Sequence, residues 1–157
     1  MDEQIKRISL AKKITDSTSS NIPKDIMNMP VHNLAYIGDA VEHLFMRTHF
    51  VSATQLRGAK LNSIITGFVN ATAQADSVKA LDDFFTEEEK DIIRHARNTK
   101  ITSLPRNANK MDYHYATAFE ALLGALFLKG DEERICQILS EVIKLHESDN
   151  DNENTDK

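Results

Sequence analysis

YHYATAFEALLGALFLKG, residues 113–130, decides how the rest of the chain is read. From Tyr113 to Leu128 apolar and small side chains run around the whole helical circumference, and Gly130 supplies the stop. A helix apolar on all sides is one that others surround. On its C-terminal side, Asp131 can cap a last helix whose stripe is Ile135, Ile138, Leu139, Val142 and Leu145. On its N-terminal side, residues 98–112 (NTKITSLPRNANKMD) carry Pro105 and no period, and read as a loop.

Further back, Thr86 followed by Glu87, Glu88 and Glu89, with Arg94 and Arg97 at the other end, is a capping box on a dipole-matched helix. Between Val31 and Phe50, Leu34, Ile37, Val41, Leu44, Phe45 and Thr48 recur at three- and four-residue steps and predict a helix buried along that face. Residues 54–81 hold one or two more helices, with Gly58 and Gly67 marking breaks or close contacts. No segment alternates with period two, so five to seven helices form a single all-α domain. The expected organisation is a flexible N-terminal extension (1–22), a folded domain (23–146) and a disordered acidic tail (147–157).

The chain has 157 residues and one cysteine, Cys136. That excludes an internal disulfide framework and fits a reducing compartment, and Cys136 is expected in the core. The N-terminus lacks the apolar run of a signal peptide, and no stretch reaches membrane-spanning length, so a soluble cytoplasmic protein is expected. The net charge of −5 argues against a nucleic-acid partner only until it is divided along the chain. The last eleven residues hold five acids and one lysine, so residues 1–146 carry a net of only −1. Within them Arg94, Arg97, Lys100, Arg106 and Lys110 follow one another with no acid between, a basic segment suited either to phosphate contact or to pairing with the acids at 82–91.

Two acids stand in unexpected places. Asp39 lies off the apolar stripe of its helix, on a face with Ala35, Glu42 and His43. Glu120 is the one charged side chain between Asp112 and Lys129, and its neighbours Thr117 and Gly124 are small. A carboxylate buried without a partner costs several kcal/mol, on the order of 2–7. One reading gives Glu120 an arginine in a structural ion pair and leaves Asp39 facing water or capping a turn. The other has both carboxylates converge on a divalent cation, for which hard oxygen ligands and room for waters suit Mg²⁺. Composition alone leaves both open. The six histidines lack metal-ligand spacing.

The string Tyr36-Ile37-Gly38-Asp39-Ala40-Val41 resembles the signature of the ribonuclease III catalytic domain, and Phe119-Glu120-Ala121-Leu122-Leu123-Gly124-Ala125 resembles that family's second signature. The similarity runs from about Leu34 to Leu145. It is nearest to the Mini-III type, which lacks a double-stranded-RNA-binding domain, and the strings from Arg97 to Asn107 and from Thr117 to Glu120 share that likeness. The resemblance implies a ribonuclease III-type helical endonuclease domain that uses Mg²⁺ held by Asp39 and Glu120. It further implies a homodimer that cleaves double-stranded RNA to 5′-phosphate and 3′-hydroxyl ends. For the Mini-III type the substrate is the stem of the 23S ribosomal RNA precursor, and the basic segment gains a role in holding RNA.

The chain departs from the family pattern at two positions: Ala35 stands where others carry Glu, and Thr117 where others carry Asp. With fewer carboxylates, weaker Mg²⁺ affinity is expected. A non-catalytic double-stranded-RNA-binding module is the alternative, and a helical protein–protein adaptor the third. Retention of both Asp39 and Glu120 argues for the enzyme.

Overall fold

The computed structural model describes residues 7–153. These form α1 (Leu10–Ser17), α2 (Val31–Ala53), α3 (Gly58–Val69), α4 (Ala71–Ala80), α5 (Glu87–Arg97), α6 (Lys110–Lys129) and α7 (Glu132–Glu153), with no strand among the described residues. The local signals work as their chemistry dictates. Thr86 accepts from the Glu89 N–H and Glu89 reaches back to the Thr86 N–H, completing the capping box of α5. Asn70 and Asn109 cap α4 and α6 by accepting from the Ala73 and Asp112 N–H, and Gly130 ends α6 in the left-handed region at φ 79°. The expected loop is shorter than its composition suggested, because Asn109 caps ahead of Lys110 and draws Lys110, Met111 and Asp112 into the first turn of α6.

Helix α6 is the axis of the molecule. Ala116 to Leu126 are all buried except Glu120, and α2, α4 and α5 pack around them with α7 alongside. Phe119, Leu122 and Leu123 are completely excluded from solvent and join Leu34, Met46, Ile138 and Leu139 in one core. Truncating such a side chain to Ala costs about 3–5 kcal/mol.

Helix α2 is oriented differently from the expectation. Its buried residues are Val31, Leu34, Ala35, Gly38, Glu42, Met46 and Phe50, so of the expected stripe Leu34 goes inside, Ile37, Val41 and Phe45 sit half-buried at the edge, and Leu44 is 62% exposed. The cause is the crossing with α6. A Cβ placed on Gly38 would stand 1.6 Å from the Glu120 carbonyl oxygen, and one placed on Gly124 would stand 1.9 Å from the Leu34 carbonyl oxygen. The two glycines let the backbones meet directly, and this seam dictates which face of α2 goes in. Gly124 therefore opens no groove beside Glu120: the carbonyl of Leu34 fills its place. Gly67, by contrast, has nothing within 4 Å and is neither a break nor a contact.

Within the segment expected to be loosely attached, residues 10–17 form α1, seated by buried Ala11 and by the Leu10 N–H, which donates to Glu132 Oε1 at 2.6 Å. At the other end α7 continues past His146 to Glu153. The expectations for residues 1–6 and 154–157 lie outside the described residues. Arg134 anchors α7 to α5: its Nε donates to both oxygens of buried Glu89 at 2.7 and 3.1 Å and its Nη2 to the Phe84 carbonyl at 2.8 Å. Cys136 is exposed rather than in the core, because α7 turns the neighbouring Ile135 inward instead.

Candidate active site

The seam between α2 and α6 builds the site. Gly38 abuts the backbone of Glu120, and the residue after Gly38 is Asp39, so close packing of the helices delivers the two acids to one place. Asp39 is half exposed, and its Oδ1 lies 3.3 Å from His43 Nε2 one turn later. Glu120 is partly buried, and burial pushes its carboxyl up to about 7. A hydrogen bond from Gln74 opposes that shift, and the charge of Asp39 and a hydrogen bond between the two carboxyls reinforce it. No arginine or lysine pairs with Glu120 among the described residues, which removes the structural ion pair as its explanation.

Two further residues complete the site, and sequence reasoning assigned neither. Glu42, three residues after Asp39, is 0% exposed, and Gln74 on α4 is 2% exposed. Gln74 Nε2 donates to Glu42 Oε2 at 2.7 Å and to Glu120 Oε1 at 3.1 Å. The other Glu42 oxygen, Oε1, is buried without a partner. Burial pushes the Glu42 carboxyl up to about 8, offset in part by the Gln74 bond and reinforced by the charges of Glu120 and Asp39. The signal for Glu42 was its place beside Asp39 on the helix surface. Gln74 gave none, since α4 has little amphipathic pattern to orient it.

The donor set consists of carboxylate oxygens with no thiol nearby, and one buried oxygen is left unsatisfied. Such a set fits Mg²⁺, which takes one or two protein carboxylates and keeps several waters. No three His, Cys, Asp or Glu side chains among the described residues stand close enough to enclose an ion by themselves. Asp39 and Glu120, brought together by the seam, are carboxylates that could hold one.

The basic residues divide into two groups. Arg94 and Arg97 line a cavity of ≈ 520 Å³ together with Lys79, Lys90 and Tyr115, whereas Lys100 and Arg106 lie exposed on the loop and Lys110 exposed at the start of α6. Arg97 Nη1 donates to Tyr115 Oη at 3.3 Å, with Lys79 Nζ 5.0 Å from the centre of the same ring. Arg94 is engaged by Asp91 at 2.6 Å. Lys79 and Lys90 belong to this surface and escaped the sequence reading because they lie outside the acid-free run.

Comparison with known proteins gives concordant matches. The Ribonuclease III domain family model matches residues 32–131. A "Mini-ribonuclease 3" of Thermoanaerobacter sp. is 46% identical over 106 residues, 68% of this chain and 75% of its own. A "Mini-ribonuclease 3" of Clostridium tetani is 37% identical over 131 residues, 83% of this chain and 87% of its own. A crystal structure of a Fusobacterium nucleatum protein superposes with a TM-score of 0.70 at 35% identity, covering 79% of this chain and 99% of that one.

Proposed function

From the premise that the chain belongs to the ribonuclease III family and is an endoribonuclease of its Mini-III branch, we propose that Asp39 and Glu120 catalyse Mg²⁺-dependent cleavage of double-stranded RNA. The observation that carries this reading is the glycine seam, which brings two carboxylates together where, among the described residues, no arginine or lysine pairs with them. When bound, Mg²⁺ supplies a lowered pKa to an attacking water and offsets charge on the phosphate. The chain's own residues do the rest. Asp39 and Glu120 provide fixed negative oxygens, Gln74 restrains Glu120, and His43 restrains Asp39. A water oxygen attacks phosphorus, the bond to the 3′ oxygen breaks, and the products carry a 5′-phosphate and a 3′-hydroxyl.

Arg94, Arg97, Lys100, Arg106 and Lys110 bind the RNA backbone in this reading, joined by Lys79 and Lys90. A-form RNA is recognised through its shape, phosphates and 2′-hydroxyls. The protein acts as a homodimer, each subunit cutting one strand. Support comes from the outer side of α2, where Tyr36, Leu44 and Val51 are 84, 62 and 61% exposed. The substrate stem is the paired end region of the 23S ribosomal RNA precursor, processed in the cytoplasm. No helix among the described residues is long and apolar enough to cross a membrane.

The test is a labelled RNA duplex incubated with and without Mg²⁺. Asp39→Asn and Glu120→Gln should each abolish cleavage while the duplex is still retained on a gel. Wild-type rates in either variant sink the assignment. Retention without cleavage by the unaltered protein would favour the non-catalytic module instead.

A further inference from the structure

Glu42 is the least explained residue of the molecule. It is completely excluded from solvent, no cation pairs with it among the described residues, and its sole hydrogen bond is from Gln74. Its Oε1 accepts nothing. A buried acceptor left empty costs about 1–3 kcal/mol, more when charged, and calls for a water or ion that satisfies it. A leucine at this seam would fill the space without that cost. The carboxylate is also one amide away from Glu120, since the same Gln74 nitrogen reaches both at 2.7 and 3.1 Å.

Asp39, Glu42 and Glu120 thus form a group of three acids whose side-chain polar partners among the described residues are Gln74 and His43. Three such side chains do not themselves enclose an ion, but Mg²⁺ retains much of its hydration shell. A buried carboxylate tied to Glu120 through one Gln74 nitrogen can receive the hydrogens of that shell.

We infer that Glu42 is a positioning residue of the cation site: its free Oε1 accepts a hydrogen bond from a water of the ion's shell, while Gln74 fixes the spacing of Glu42 and Glu120. This rests on the reading of Asp39 and Glu120 as the pair that holds the ion. Glu42→Gln is a sharp probe because Gln74 is a donor. It orients the new amide oxygen toward itself and leaves an NH₂ group where Oε1 stood, turning an acceptor into a donor.

The experiment measures Mn²⁺ binding by electron paramagnetic resonance on the full chain without RNA, for the unaltered protein, Glu42→Gln and Asp39→Asn. The expected result is an affinity lowered about tenfold or more in Glu42→Gln, the loss typical of outer-shell partners. The Mg²⁺ needed for half-maximal cleavage should rise in parallel, with kcat recovered at saturating Mg²⁺. Affinity in Glu42→Gln within a factor of about two of the unaltered protein, with Asp39→Asn impaired, overturns the inference and leaves the site reading intact. Unchanged affinity in both variants overturns the site reading as well. Should Glu42→Gln fold poorly by circular dichroism, Glu42→Asp keeps the charge and withdraws the oxygens by one methylene. Its Mn²⁺ affinity must also fall, and an unchanged value overturns the inference.

Discussion

Gly38→Ala isolates the feature on which the site depends. In an open helix the change is favourable, since Ala exceeds Gly in helix propensity by about 1 kcal/mol. At position 38 the new Cβ stands 1.6 Å from the Glu120 carbonyl oxygen and 2.9 Å from the Gly124 nitrogen, and all of these obstacles are backbone. Ordinary contact requires about 3.5 Å, so α2 and α6 must part by roughly 2 Å along their central crossing. Overpacking of this kind costs about 3 kcal/mol or more, leaving a net loss on the order of 2–3 kcal/mol after the propensity gain. At roughly 2–4 °C per kcal/mol for a chain of this size, the midpoint should fall by about 5–10 °C. The same displacement separates Asp39 from Glu120, and a misplacement of about 1 Å can cost a hundredfold in rate. Urea or thermal unfolding read by circular dichroism gives the first number and single-turnover duplex cleavage the second. Gly67→Ala is the control, because nothing lies within 4 Å of its Cβ and it should gain about 0.5–1 kcal/mol. If Gly38→Ala matches Gly67→Ala in stability and cleaves at the unaltered rate, the seam does not set the geometry of the site.

Arg134→Met removes the partner of buried Glu89 and should cost about 3–5 kcal/mol in urea unfolding, and a loss below about 1 kcal/mol would show that Glu89 finds water instead. Glu42→Gln should change how stability responds to pH. Glu42 titrates at about 8 when folded against 4.5 as the ordinary value, so its protonated form stabilises fully below pH 4.5 and that contribution is lost as pH rises through about 8. The variant should therefore gain on the unaltered protein between those limits by up to about 1.4 kcal/mol per pH unit, and parallel stability curves would refute the shift. Duplex binding should weaken with salt at a log–log slope of roughly −4 to −5 if the five bases of residues 94–110 all meet phosphate. Arg97→Ala should flatten that slope by about one. Arg94→Ala should flatten it less, because Asp91 already occupies that guanidinium, and equal effects would show that the pair opens on RNA.

Helix α6 and the Thr86 box were legible because their signals are local: an apolar circumference, and a cap with its glutamate three residues on. The orientation of α2 was not, because amphipathic reasoning weighs side-chain hydropathy and glycine weighs nothing on that scale. The helix is rotated so that Leu44 leaves the core while Gly38 and an acid enter it beside Leu34, because backbone-to-backbone contact with α6 required the smallest residue, not the most apolar one. Asp39 and Glu120 could be singled out as acids on crowded helices. Glu42 offered only its place beside Asp39, since its partner Gln74 is an uncharged residue on another helix. Both misreadings have one origin, and it has a functional consequence. A helix that turns Glu42 inward and leaves Tyr36 and Leu44 in water forgoes part of what its buried Leu34, Met46 and Phe50 gain, since exposed apolar area forgoes about 25 cal/mol per Å². Covering the outer face and satisfying the inner carboxylate would each recover part of that cost. In the proposed homodimer a second subunit covers that outer face, and in the proposed site a hydrated cation satisfies the inner carboxylate.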